Sequence, residues 1–423
     1  MIPADLVVEN CRQLATCRGP VPKRGAALTD IGLLEKAWVA AWRGRVVFVG
    51  GEKAFRRQVG PGKGARRVDA GGLVGLPGFV DSHTHLPFAG SRVEEFRLRL
   101  QGATYQQLAA KGMGIQTTVA ATRQATRAEL LALCLSRLDR MLLNGATTVE
   151  AKSGYGLNLK DEVKQLEVLR AADGRHPVDI VPTFMGAHDI PKEYRNKKSD
   201  YIALLIDRII PAVKKRGLAE FFDVFCEEGV FSVEETRRLA EAAQRAGFKI
   251  RIHADEFAAL GGAALAAAVG AASADHLLSI TPEGIQALAG SETVATLLPG
   301  VSFFLMTDRR APARQLIEAG AIIALASDFN PGSSMVGSML FVIQLGVFLL
   351  RLGIEEAINA ATANAAFALR RHASVGSVEI GKKMDLLLCD APDYPSLVYQ
   401  LGINPIRHVI KDGRRVVRDG RRV

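Results

Sequence analysis

Two histidines one residue apart, His83 and His85, stand where a short apolar run ends in GFVDSHTHLPFAGSR, residues 78 to 92. In an extended segment alternate side chains point the same way, so the two imidazoles could grip one ion from one side. Alone, the pair reads equally well as incidental polar residues of a loop. Further along, His188 lies in TFMGAHD, His253 in RIHADE, His276 in SADHL and Asp328 in LASDFNPGSS, each at or just past the end of an apolar run. Three imidazoles and a carboxylate, His83, His85, His253 and Asp328, suit zinc or ferrous iron, which accept nitrogen and oxygen donors and leave a position open for water. The donor set does not choose between those metals. Glu256, three residues past His253, is placed to take a proton from an attacking water; its bland alternative is an exposed glutamate at a helix N-terminus. His276 could stabilise an oxygen that gains charge; its bland alternative is a satisfied core histidine.

Some regular architecture has to bring these residues together. From about residue 76 the chain alternates short β-rich runs with helical ones. The candidate strands are GFVDS (78), ATTVEA (146), VDIVPTF (178), FFDVF (221), FKIRIH (248), ASADH (272), TVATLL (293) and IIALAS (322). Helical patterns lie between them. RAELLALCLSRLDRMLLNG stops on Gly145, and SVEETRRLAEAAQRAG opens with a capping box and stops on Gly247. Eight strand and helix units are the count of an α/β fold of the (β/α)8 TIM-type barrel class, which places its chemistry at the C-terminal ends of its strands. Five of the eight histidines then fall on one rim together with Asp328. A doubly wound sheet is the alternative, but no glycine-rich phosphate turn follows the first strand. Residues 1–75 and 374–423 read instead as short strands with glycine turns, so the simplest assembly is one small β-domain built from both chain ends, with a barrel of residues 76–373 inserted between them.

Composition narrows the class. The 423 residues are 48% hydrophobic, enough for a large buried core. No early apolar run reads as a secretory signal, and MVGSMLFVIQLGVFLL, 335 to 350, is shorter than the ~20 residues of a membrane span and is interrupted by Gln344. It reads as a buried helix. Five scattered cysteines without a CxxC argue against a disulfide framework or a thiolate zinc site and fit a reducing cytoplasm. A net charge of +10 invites nucleic acid, but only 6% of residues are aromatic and the basic tail IRHVIKDGRRVVRDGRRV alternates like a solvated edge hairpin. The expected partner is a small anionic substrate, with no nucleic acid and no membrane.

With HxH after the first strand, HADE at the fifth, ADH at the sixth and SDFNPG after the eighth, the chain resembles the amidohydrolase superfamily. The longer runs FAGSRVEEFRLRLQGATYQQLAAKGMGIQTTVAATR, EAKSGYGL, PTFMGAHDIP, IHADEF, SADHL and ASDFNPGSS resemble its imidazolonepropionase branch. The resemblance implies a distorted barrel with a β-sandwich from the two chain ends, a homodimer, and one divalent metal ion per subunit, zinc or iron. It implies hydrolysis of the ring amide of 4-imidazolone-5-propanoate to N-formimidoyl-L-glutamate by metal-activated water. Residues matching the family's metal ligands are His83, His85, His253 and Asp328. Those matching its substrate contacts are Arg92, Tyr155, His188, Glu256, Asn330, Gly332 and Ser333, and Glu256 and His276 match its catalytic pair, with Asp328 beside them. Arg92 offers a fork suited to a propanoate carboxylate.

Two features test that carry-over. Two-metal relatives bridge their ions with a carbamylated lysine on the fourth strand; here that strand ends VFCEEG and Lys152 lies on the second, so one metal is expected. The run Thr307-Asp308-Arg309-Arg310 replaces an expected apolar tight turn and leaves the loop after the seventh strand open, while the long segment 86–126 is a candidate lid whose motion the sequence leaves open. The alternatives are a nucleobase-type deaminase, which uses the same rim, and from another class a non-catalytic barrel scaffold.

Overall fold

A computed structural model describes residues 1–102 and 113–423. Eight parallel strands, β6 (Phe79–Asp81), β7 (Ala146–Lys152), β8 (Asp179–Ala187), β9 (Phe221–Cys226), β10 (Lys249–Ala254), β11 (Ser273–His276), β12 (Val294–Leu297) and β13 (Ile322–Leu325), pair in sequence order. They coincide with the eight runs read from the sequence. Their side chains are almost all buried on both faces, which is why the runs are nearly continuous in apolar residues. Past β6 and β13 the chain closes the ring: Thr84 bridges Phe329 in parallel, His85 N–H donates to the Phe329 carbonyl at 3.0 Å and Asp328 N–H to that of His83 at 3.0 Å. The barrel is therefore sealed by the residues suspected of chemistry.

Local signals set the helices that wrap it. Arg127–Leu143 begins at a capping box of Thr126 with Glu129, and Val233–Arg245 at one of Ser232 with Glu235. Both end on glycines with φ of +88°, Gly145 and Gly247, the left-handed exit that only glycine adopts cheaply. Among the described residues, segment 86–126, the candidate lid ahead of the first full helix, includes the helices Val93–Leu100 and Ile115–Gln124. The first is favoured by Glu94 and Glu95 in its first turn and Arg97 and Arg99 in its last, which match the helix dipole. Residues 103–112, within that segment, lie outside the described residues.

The apolar run at 335–350 forms a helix only from Met339 to Leu350, because Ser338 Oγ accepts the Phe341 N–H and sets the start there. Gln344, which interrupts it, is buried and donates to the carbonyls of Leu397 and Gln400, so the amide is satisfied rather than exposed. After β12 a short helix, Pro299–Leu305, precedes the Thr307–Arg310 run. Arg309 anchors that run by donating to the Phe257 carbonyl at 2.7 Å, in the loop after β10.

Both chain ends supply a second, nine-stranded sheet: β1 (Ile2–Ala15), β2 (Leu33–Trp42), β3 (Arg45–Gly51), β4 (Val59–Asp69), β5 (Val74–Pro77), β14 (Leu386–Cys389), β15 (Ile406–Lys411), β16 (Arg414–Arg418) and β17 (Arg421–Arg422). The sheet folds over, since Val46 N–H of β3 donates to Lys382 and Met384 N–H to Gly44, joining the β3 end to the chain that enters β14. Leu6, Val8, Val39, Val46, Leu386, Leu388 and Ile410 fill the space between its halves. The basic tail forms the antiparallel meander β15–β16–β17 at the sheet's edge, where alternate arginines face solvent. Among the described residues no helix is long and apolar enough to cross a membrane.

All five cysteines are buried and unpaired, and burial pushes their thiols up to between about 11 and about 12. A thiol reagent at mildly alkaline pH should therefore find no reactive cysteine in the native protein and five after denaturation; fast labelling of the native chain would contradict the packing.

Candidate active site

The rim residues converge. His83 Nε2 lies 3.4 Å and His85 Nε2 3.3 Å from Asp328 Oδ1, and His253 Nε2 lies 3.4 Å from His85 Nε2. All four residues are at most 3% exposed. Three of the four have their second atom engaged, while His85 Nδ1 is buried without a hydrogen-bond partner. His83 Nδ1 meets Asp275 Oδ2 at 2.7 Å and His253 Nδ1 meets Asp223 Oδ1 at 3.0 Å, so each imidazole presents Nε2 inward. Asn330 Nδ2 donates to Asp328 Oδ2 at 3.0 Å, which leaves Oδ1 facing the imidazoles. His83 Nε2 and Asp328 Oδ1 have no hydrogen-bond partner although both are buried. Lone pairs of nitrogen and carboxylate oxygen that face one another in a dry site repel unless a cation lies among them. His83, His85 and His253 offer ligand atoms mutually within 4.8 Å, as do His83, His276 and Asp328, so the donor set fits one metal ion.

Glu256 and His276 face this centre. Glu256 Oε1 stands 3.5 Å from His276 Nδ1, and neither ring nitrogen of His276 has a hydrogen-bond partner. Burial, with the carboxylates of Asp328 and Glu227 beside it, holds Glu256 well above the usual carboxylate range. Burial pulls His276 down to about 4, so it is a neutral ring able to donate from one nitrogen. The exposed-glutamate and core-histidine alternatives both fail: Glu256 is 5% exposed, and His276 has no partner in the core. His276 (φ +80°) and Asp328 (φ +51°) both sit in the left-handed backbone region, a strained placement of the kind that gathers at functional sites.

The remaining residues form the surround. His188 stacks on His85 with ring centres 4.9 Å apart, and its Nδ1 lies 3.0 Å from the Gly154 carbonyl, which turns Nε2 outward from the bond. Burial, with His85 beside it, pulls His188 down to about 3. Tyr155 is buried 5.3 Å from His188 and 5.9 Å from His85. Asn330, Gly332 and Ser333 form one tight turn, with Asn330 Oδ1 accepting the Gly332 and Ser333 N–H groups. Arg92 is partly committed: its Nε and Nη2 donate to Glu95 at 2.8 and 2.6 Å. Its Nη1 lies so close to Gly332 that a Cβ there would sit 2.1 Å away, so only glycine leaves the guanidinium its place.

Sequence reasoning did not assign the layer beneath. Glu150, Lys152, Asp223, Arg251 and Asp275 are all fully buried inside the barrel. Lys152 Nζ pairs with Glu150 Oε1 at 2.9 Å and Asp223 Oδ2 at 3.0 Å; Arg251 Nη2 pairs with Asp275 Oδ2 at 3.0 Å and donates to the Ser82 carbonyl at 2.8 Å. Against the cost of burial, His253 and Lys152 hold Asp223 well below its usual range, and Arg251 and His83 do the same for Asp275. A signal existed: EAK, FFDVF, IRIH and SADH each place charge inside an otherwise apolar strand, where it has to be paired.

Comparison with known proteins agrees with this geometry. The sequence pattern of the Amidohydrolase family matches residues 74–416. An imidazolonepropionase of Symbiobacterium thermophilum is 50% identical over 98% of this chain and 97% of its own, and one of Geobacillus kaustophilus is 46% identical over 97% of each. This chain belongs to the imidazolonepropionase family of amidohydrolases. Among solved structures, a triazine hydrolase variant aligns with a TM-score of 0.76 at 17% identity, covering 99% of this chain and 96% of that one. A zinc-bound adenosine deaminase from Xanthomonas campestris aligns at 0.68 and 18%, covering 100% and 95%. At those identities the likeness shows the fold alone, the barrel with its second sheet.

An ion that binds only the folded amidohydrolase adds stability, about 2.7 kcal/mol at a free concentration roughly a hundred times Kd. Chelator-treated protein should therefore melt several degrees lower and recover when zinc is returned. Equal melting with and without ion would contradict the reading of the four donors as a metal site.

Proposed function

We propose that this amidohydrolase opens the ring amide of 4-imidazolone-5-propanoate to give N-formimidoyl-L-glutamate, with one zinc ion held by His83, His85, His253 and Asp328. The observation that carries this reading is the facing of those inward lone pairs by Glu256 and His276, in a chain half identical to a named imidazolonepropionase. Nitrogen-rich donors around one carboxylate favour zinc over harder ions. When bound, such an ion polarises the ring carbonyl and makes water a stronger acid near neutral pH.

The protein's own groups do the rest. Glu256 takes the proton of the attacking water and returns it to the departing ring nitrogen, so that the carbon–nitrogen bond breaks with a neutral leaving group. Its raised affinity for protons suits the second half of that task, and its deprotonation beside a bound cation suits the first. His276, neutral, donates a ring N–H to the carbonyl oxygen as negative charge grows there. Arg92 offers Nη1, the arm not given to Glu95, to the propanoate carboxylate. Tyr155 and His188 wall the ring, and the Asn330–Ser333 turn holds Asp328 in register. Orientation of this kind supplies a large share of a rate enhancement.

A cytoplasmic homodimer belongs to the same proposal, supported by the free thiols and by Phe303, Met306 and Phe348, which expose 52, 59 and 54% of their surface on neighbouring helical segments. Light scattering should return twice the mass of the chain; a monomer at working concentrations would remove that part. Glu256→Gln should keep its metal while turnover of imidazolonepropanoate falls by ~10² or more. Unchanged turnover in that variant would end the proton-shuttle role, and ammonia release from aminated rings without consumption of imidazolonepropanoate would turn the reading to a deaminase.

A further inference from the structure

We propose that Lys152 is a positioning residue whose ammonium ties the two arms of the metal site together. The inference rests on the reading of His83, His85, His253 and Asp328 as metal ligands. Lys152 is fully buried on β7, and its Nζ lies between Glu150 Oε1 at 2.9 Å and Asp223 Oδ2 at 3.0 Å. Each of those carboxylates uses its other oxygen on a ligand-bearing segment. Glu150 Oε2 accepts the N–H of Thr84, the residue between His83 and His85, at 3.0 Å, and Asp223 Oδ1 holds His253 Nδ1 at 3.0 Å. Backbone bonds reinforce the first arm: Lys152 N–H donates to the Thr84 carbonyl at 2.9 Å and Thr84 Oγ1 to the Glu150 carbonyl at 2.7 Å. One ammonium thus spans β6 and β10, strands that are not neighbours in the barrel.

Without that cation, the carboxylates of Glu150 and Asp223 keep their like charges in a dry interior and lose what draws them together. They then separate, and the Thr84 segment and the His253 ring go with them. Arg251 spends its Nη2 on Asp275 and the Ser82 carbonyl, and its ion pair is with Asp275 rather than with Glu150 or Asp223.

The sign of the test separates geometry from charge. Removing a positive charge near a dication by itself strengthens binding of the dication, whereas loosening its ligands weakens it. Lys152→Met preserves bulk and removes the charge, and Glu150→Gln keeps shape but turns one donor toward either Thr84 or Lys152. Zinc affinity is measured by competition with a chromophoric chelator on protein whose folding is checked by circular dichroism, and the visible spectrum of the cobalt-loaded protein reports ligand geometry. The expected result is a 10- to 100-fold weaker zinc affinity in Lys152→Met, the range typical of lost support behind a metal ligand. Glu150→Gln should weaken it in the same direction, with an altered cobalt spectrum. Affinity equal to or tighter than the parent's, with an unchanged spectrum, overturns the proposal. Should Lys152→Met fail to fold, the cobalt spectrum of Glu150→Gln decides, because losing a negative charge weakens zinc binding even with the ligands in place, and an unchanged spectrum there overturns the proposal. Neither readout uses substrate, so a chain that binds zinc as expected yet leaves imidazolonepropanoate untouched would refute the proposed reaction and not this inference.

Discussion

Inward lone pairs that cannot satisfy one another are the constraint around which this barrel is built. His83, His85, His253 and Asp328 bring ring nitrogens and a carboxylate oxygen together in a buried region, and the bonds to Asp275, Asp223 and Asn330 keep His83, His253 and Asp328 from turning away, while His85 is stacked on His188. Seen alone this costs stability, because buried acceptors without donors forfeit hydration for nothing. Barrel closure raises the stakes further. The hydrogen bonds that join the first strand's extension to the last involve His83, His85, Asp328 and Phe329 themselves. A shift of the ligand segments would open the ring, and an opened ring would scatter the ligands. Fold and site share one set of bonds.

The loops above obey a similar rule, each being held by a buried carboxylate that accepts several backbone N–H groups. Glu162 takes those of Gly154, Gly156 and Leu157 and so fixes the loop that carries Tyr155. Glu227 takes those of Phe257 and Ala258, directly after Glu256. Asp255 takes four in a row, from Leu260 to Ala263. Such loops would otherwise leave donors unpaired in a low-dielectric setting, at about 1–3 kcal/mol for each. The same carboxylates that satisfy the backbone shape the chemistry, since Glu227 is one of the charges that raise Glu256.

How much of this was legible in the sequence follows from the range of each signal. Strands announce themselves by local composition, and all eight barrel runs were readable because burial on both faces leaves them few polar residues. The rim histidines were readable once the barrel was counted, because the fold fixes where strand ends lie. Pairings across the barrel were not. Nothing in EAK says that Lys152 meets Asp223, 71 residues away, rather than solvent, or that Glu150 reaches Thr84. The helices within 86–126 escaped as well, since Val93–Leu100 is held by charges matched to its ends more than by an apolar stripe. Arg92 was legible as a fork but not as one already engaged by Glu95, a contact that depends on the helix that forms there.

Charge agrees with the proposal of a single divalent ion. Linked by direct contacts, the cluster holds four carboxylates, Glu150, Asp223, Asp275 and Asp328, against two permanent cations, Lys152 and Arg251. Two negative charges remain in a barrel mouth that excludes water, a balance that a folded protein does not leave open. One divalent ion among the four donors cancels the excess, whereas a second would overfill it, because the place between Asp223 and Glu150 already holds the Lys152 ammonium.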